Sequence, residues 1–229
     1  GGCGLSLPHP PVTSVAAVAA LLLLGCDAAN NGQESRRAAA HDFPQADRPV
    51  APIVSTRWSD EESRDRLNEA TEIMDRAGIR RGMTVADIGA GEGYYTVRLA
   101  KRVGPTGRVL AQDIMAEVID ALGQRITRED WRNVSVKLGT PDDPKLPVSS
   151  FDRIFMVHMY HEIEEPYAFL WYLRPALKPS GEVIVVDADR PTGQHGTPPR
   201  LLACEFAAVG YQLVQVVPNP SAGGYFARF

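Results

Sequence analysis

The chain has 229 residues, 44% apolar and 23% charged, the proportions of an ordinary globular protein with room for one α/β domain and an appendage. A net charge of −4 without Lys/Arg clusters excludes a nucleic-acid surface. Cys3, Cys26 and Cys204 make neither a metal-ligand cluster nor a disulfide framework, and no internal repeat is visible.

From Val12 to Gly25 the sequence VTSVAAVAALLLLG is apolar and uncharged. That is shorter than the roughly 20 residues a spanning helix needs, and it matches the apolar core of a signal peptide. It closes in Leu23-Leu24-Gly25-Cys26, which resembles the lipobox of bacterial lipoproteins. The resemblance implies a lipid on Cys26 and a mature chain beginning there. Asp27 resembles the residue that keeps such proteins at the inner membrane, so the expected location is the periplasmic side of that membrane. No Lys or Arg precedes Cys26 and the first residue is Gly1, so the basic start of such a signal is expected upstream. A chain that stays in the cytoplasm is the alternative. Residues 27–56 are polar, contain proline and lack hydrophobic period, the pattern of a flexible linker. Its far end, around Phe43 to Val54, can pack on the folded domain.

That domain is expected over residues 57–229. Ser59 and Glu62 form a capping box stapled by Trp58, and the spacing predicts one helix from Asp60 to about Ala77, with Leu67, Ala70, Ile73 and Met74 on its apolar face. Gly78 ends it. Strands at Thr84–Ile88, Arg108–Asp113, Val134–Leu138, Phe151–Met159 and Glu182–Asp187 alternate with helices at Tyr94–Val103, Ala116–Arg128 and Glu165–Leu177. This alternation predicts a doubly wound, mostly parallel sheet. After a helix near Leu201–Val209, the strands Tyr211–Val217 and Tyr225–Phe229 are joined by a link too short for a crossover and must be antiparallel. The fold class is therefore α/β, with seven strands ending in an antiparallel hairpin.

The run Val85-Ala86-Asp87-Ile88-Gly89-Ala90-Gly91-Glu92-Gly93-Tyr94-Tyr95 reads as buried strand, acid, glycine turn and helix start. Glycines let the backbone turn sharply beside a ligand, and the helix start offers unpaired N–H groups to it. Tyr94 stands where a dinucleotide fingerprint requires glycine, which argues against a nicotinamide-dependent oxidoreductase. The stretch resembles motif I of the class I S-adenosylmethionine-dependent methyltransferases. With the terminal hairpin, the resemblance covers roughly residues 57–229. The phrase Gly104-Pro-Thr-Gly-Arg-Val-Leu-Ala-Gln-Asp113 is similar to the small-molecule and quinone-type members.

That resemblance implies S-adenosylmethionine as cofactor, held by Asp87, Gly89, Ala90, Gly91, Gly93, Asp113, Ile114, Thr140, Asp142 and His158. Asp113 closes the second strand, where an acid accepts ribose hydroxyls in doubly wound sheets, or alternatively starts the next helix. Asp87 is expected to order the glycine turn near the methionine amino group. Asp142, after Gly139-Thr140-Pro141, is the candidate for the adenine contact, or caps a plain Asx turn.

The fourth strand ends in Met156-Val157-His158-Met159-Tyr160-His161-Glu162, delivering His158 and His161 as candidate bases, with packing as the competing role. Their spacing at a strand end fits a metal pair poorly, and no metal site is expected. His195 reads as a solvated loop residue, and Cys204 as a small buried hydrophobe.

The expected activity is methyl transfer to an O, N or C nucleophile of a small molecule by a membrane-tethered enzyme. A non-catalytic S-adenosylmethionine-binding module on an exported lipoprotein is the alternative, because that cofactor is made in the cytoplasm. Oligomeric state and acceptor are not readable from the sequence.

Overall fold

A computed structural model describes residues 43–53 and 61–229. The signal-type segment, the lipidation candidate Cys26, most of the linker, and the Trp58–Ser59 helix start lie outside the described residues. Among the described residues, no helix is long and apolar enough to cross a membrane.

The chain begins with α1 (Glu61–Arg66) and α2 (Glu69–Arg76). These replace the single helix expected there. Asn68 adopts a left-handed backbone (φ 54°), a conformation Asn tolerates better than most residues, and the break leaves Leu67 60% exposed. Beyond it, Ala70, Ile73 and Met74 are buried as their spacing requires. Then come β1 (Thr84–Ile88), α3 (Tyr94–Val103), β2 (Arg108–Asp113), α4 (Ala116–Arg128), β3 (Val134–Leu138) and β4 (Phe151–Val157). The order continues with α5 (Pro166–Leu173), β5 (Leu177–Asp187), α6 (Pro199–Ala208), β6 (Gln215–Asn219) and β7 (Gly224–Arg228). α5 stops earlier than expected because Pro175 cannot continue it, and a short 3₁₀ turn, Arg174–Ala176, leads into β5.

The seven strands form one sheet in the order β3-β2-β1-β4-β5-β7-β6. β1 to β5 are parallel, and β7 runs antiparallel to both β5 and β6. The predicted doubly wound sheet with a terminal antiparallel hairpin is therefore the observed fold. Alternation along the strands divides the core. Val183 and Val185 face a cluster with Phe169, Leu170, Phe206 and Phe229, while Ile184 and Val186 face Ile73, Tyr95, Leu99 and Phe226. Each such fully buried side chain contributes roughly 1.5–3 kcal/mol.

Phe43–Ile53, within the stretch expected as linker, packs on the domain. Phe43 meets the rings of Trp171 and Tyr172. The Arg48 guanidinium donates to Glu205 and to the carbonyl of Ile163. Ala51 N–H donates to the His161 carbonyl, and the Thr192 hydroxyl to that of Pro49. Cys204 is half-buried on α6 rather than fully buried.

Candidate functional site

β1 and β4 lie side by side at the centre of the sheet, and the chain leaves them in opposite directions. This is the switch point where doubly wound sheets open a crevice. A cleft of about 280 Å³ sits there, close to the lower end of the size range of small-ligand sites. The turn after β1 forms its floor. Gly89, Gly91 and Gly93 all have positive φ (65°, 53° and 89°). A Cβ on Gly89 would press on Met159, and one on Gly93 would come within 2.5 Å of Leu122. The turn is tied to β2 by the Ala90 N–H, which donates to the Gln112 carbonyl. Gly93 caps α3 without a side chain, and in the first turn of that helix the Thr96 N–H donates to the Asp87 carboxylate.

Two carboxylates hold this floor. Asp113 accepts from the Gly91 N–H through Oδ2 and from the Ile114 and Met115 N–H groups through Oδ1. It thus clamps the glycine turn to the link between β2 and α4 while lining the cleft. Asp87 is buried, lines the cleft and accepts the Thr96 hydroxyl at 2.6 Å. Burial pushes its carboxyl up to about 6, against the Thr96 hydrogen bond and the more distant Arg64 charge.

Of the other expected cofactor residues, Ala90, Ile114 and His158 line the cleft. Gly93, Thr140 and Asp142 are not among its lining residues, although Pro141 is. Thr140 is occupied in a tight turn, where its N–H and hydroxyl both donate to the Asp143 carbonyl.

His158 and His161 separate. His158, at the end of β4 with φ 54°, lines the cleft, and burial lowers its pKa, which keeps the imidazole neutral near pH 7. His161 is fully buried and does not line it. Its Nδ1 lies 3.0 and 3.1 Å from the two oxygens of Asp187. His195 is not a solvated loop residue: it is half-buried, edge-on to the His161 ring at 5.5 Å.

Sequence reasoning missed the other wall of the cleft, built from Ile53, Glu61, Arg64, Gln112, Met115 and Glu162. Arg64 stacks over Tyr94 at 3.8 Å and pairs with Glu69, which also accepts the Tyr95 hydroxyl. Gln112 had one legible signal, its place directly before the acid that closes β2.

A doubly wound seven-stranded sheet with a G-x-G-x-G turn and an acid closing β2 is the architecture of the class I S-adenosylmethionine-dependent methyltransferase domain. Residues 85–181, under half of the chain, match the family described as "Methyltransferase domain". The chain is 30% identical over 113 residues to a protein-L-isoaspartate O-methyltransferase of Methanothrix thermoacetophila, covering 49% of this chain and 51% of that protein. It is 25% identical over 120 residues to a ubiquinone/menaquinone biosynthesis C-methyltransferase of Hahella chejuensis, covering 52% and 48%. The chain spans about half the length of the curated relatives it matches. Among solved structures, a SAM dependent methyltransferase from Aquifex aeolicus has the same fold at a TM-score of 0.63 and 24% identity, over 75% of this chain and 97% of that one. Residues 85–181 thus match a methyltransferase domain, and the fold is one found in a structure described as SAM dependent, that is, using S-adenosylmethionine.

The residues present fit that cofactor. Gln112 is buried, lines the cleft and has an amide nitrogen with no hydrogen-bond partner, a donor that a polar ligand would satisfy. The glycine floor leaves space that a Cβ would narrow, and Asp87 and Asp113 meet the cleft with acceptor oxygens.

Proposed function

We propose that this protein is a small-molecule methyltransferase in which Asp113, Asp87 and the glycine turn hold S-adenosylmethionine, and His158 faces the acceptor. The reading is carried by one observation: the clamp from Asp113 to Gly91 at the mouth of the switch-point cleft. When bound, the cofactor supplies an activated sulfonium methyl group. The protein's own task is then alignment, which by itself can lower a barrier by several kcal/mol.

Asp87 places an acceptor carboxylate where a cationic amino group is to be received. Asp113 does so for hydroxyls. Tyr94, Tyr95 and Met159 narrow the cleft and limit water. The neutral His158 takes up the proton that an oxygen or nitrogen nucleophile loses on attack. The acceptor is taken as small because α1 and Ile53 wall the cleft and, among the described residues, neither basic groove nor stacking platform lies beside it. The name of one similar protein, a ubiquinone/menaquinone biosynthesis C-methyltransferase, supports an acceptor of that kind.

With this reading goes a place at the cell envelope, through a lipid on Cys26, supported by the apolar segment that ends there. Labelling with a clickable fatty acid, lost in Cys26→Ser, tests it; equal labelling of wild type and variant would remove the anchor.

The deciding experiment for the activity is calorimetric titration with S-adenosylmethionine, S-adenosylhomocysteine and NAD. The first two bind and NAD does not. Asp113→Ala weakens binding about 10- to 100-fold, the worth of roughly 1.5–3 kcal/mol for hydrogen bonds to a charged group. Absence of binding by both sulfur compounds would end the methyltransferase reading.

A further inference from the structure

Beside the cofactor cleft, three side chains from two separate segments converge. His161 and Glu162 come from the 3₁₀ turn after β4, and His195 follows the 3₁₀ turn Thr192–Gln194 after β5. One ligand-type atom from each lies within 4.8 Å of the other two. His161 is fully buried and its Nε2 has no hydrogen-bond partner. An orphaned buried ring nitrogen carries a desolvation penalty of about 1–3 kcal/mol unless something satisfies it.

The other side of that ring is tightly held. Asp187 faces His161 Nδ1 while also accepting from the Ala188 N–H and the Thr197 hydroxyl. Both Asp187 oxygens act as acceptors in these contacts, so a donor at Nδ1 completes the set and leaves the lone pair at Nε2. Carboxylate–imidazole pairing of this kind fixes the tautomer and raises the basicity of metal-binding histidines. The position of His195 is equally fixed, by a left-handed backbone (φ 57°) and by its N–H donating to the Thr192 carbonyl.

We propose that His161, Glu162 and His195 bind one divalent transition metal of the zinc class at the acceptor side of the cleft. Two imidazoles and one carboxylate are the donor set of open zinc sites and of 2-His-1-carboxylate sites. With bonds of about 2.0–2.2 Å, the donors would stand roughly 3.3 Å apart, so they close in by an ångström or so on binding. Glu162 and His195 are only half-buried. Glu162 also lines the cofactor cleft, so an open coordination position on this ion faces the place where an acceptor would lie. That consequence rests on the methyltransferase reading, and it selects acceptors with an oxygen able to coordinate. The binding itself does not depend on that reading.

The test is titration of the metal-stripped full chain with zinc alone by calorimetry, and with cobalt(II) alone by visible absorption. One equivalent binds, and cobalt gives the strong bands of a low-symmetry, nitrogen/oxygen-ligated ion. Glu162→Gln and His195→Asn each weaken binding at least 10- to 100-fold, while His195→Asp retains much of it. Asn and Asp tolerate the left-handed backbone at 195, so these variants fold. The His195 variants still bind S-adenosylhomocysteine, which separates this result from failure of the cofactor site. No zinc binding by the wild type would overturn the proposal. So would binding that neither substitution weakens, which would place the ion elsewhere.

Discussion

Asp87 shows how a single residue links stability to function. Its pKa rises from 3.8 to about 6 on folding, so the folded state prefers the protonated acid. The ionised form therefore weakens the fold: the penalty is absent below pH 4, grows between pH 4 and 6, and is full above pH 6. Two pKa units correspond to about 3 kcal/mol. Asp87→Asn is expected to melt higher than wild type at pH 8 and equally at pH 4, while binding S-adenosylmethionine more weakly. Parallel melting curves across that range would refute the assignment. His158 is the second residue with a separable role. On the proposed role as base, its burial predicts an acid limb of kcat/KM below the usual histidine value near 6.5. His158→Gln should lower kcat by about 10²- to 10⁴-fold with little change in cofactor affinity. An unchanged kcat would assign it to packing.

Among the elements, the glycine turn depends on two kinds of constraint that substitutions can separate. Gly91 and Gly93 both have positive φ, but a Cβ on Gly91 meets nothing within 4 Å, whereas one on Gly93 collides with Leu122 of α4. Gly91→Ala should lose about 1 kcal/mol from backbone strain alone. Gly93→Ala adds overpacking and should lose about 2–4 kcal/mol. Urea unfolding of the two variants checks the difference, and equal losses would mean that α4 yields freely. The break between α1 and α2 has an effect on the same site. Turned away from α2, α1 lets Glu61 pair with both Arg98 of α3 and Arg125 of α4, and Arg125 also donates to the Glu92 carbonyl of the glycine turn. A continuous helix would not set α1 over the cleft in this way.

At the scale of the molecule, the segment Phe43–Ile53 fastens the β4 and β5 ends to α6. Arg48 and Glu205 form an ion pair with side chains 3% and 1% exposed, and Glu205 also accepts the Tyr160 hydroxyl. Removing one partner of a buried pair leaves a charge without compensation and costs about 3–5 kcal/mol. Arg48→Met should therefore destabilise the protein by that amount, and Glu205→Gln in the same chain should recover part of it. Denaturant midpoints of the two variants decide; a loss under about 1 kcal/mol for Arg48→Met would show the segment is not integral to the domain. Because Ala51 also bonds the His161 carbonyl, loosening this strap disturbs the cluster beside the cleft.

Local order was legible in the sequence. The limits of α4 and β3, the glycine turn between β1 and α3, and the antiparallel hairpin come from period, glycine placement and link length, all of which act over a few residues. Asp113 was legible for the same reason, since its position relative to the turn is set by one β–α–β unit. The expected single helix failed at Asn68 because propensity does not decide between helix and a tolerated left-handed residue when distant salt bridges favour the break. Arg64, Glu61 and Glu162 could not be placed in the cleft, nor His195 against His161, because those neighbours are brought together across tens of residues by sheet order. Asp142 and His161 looked alike as polar loop acids and bases; only packing placed the first away from the cleft lining and buried the second behind it. Sequence by itself determined the fold class, the glycine turn and its acids, since these rest on short-range backbone requirements. Tertiary structure alone decided which side chains close the cleft and which meet beside it, since burial and long-range contact determine whether a polar group faces a ligand, a partner or neither.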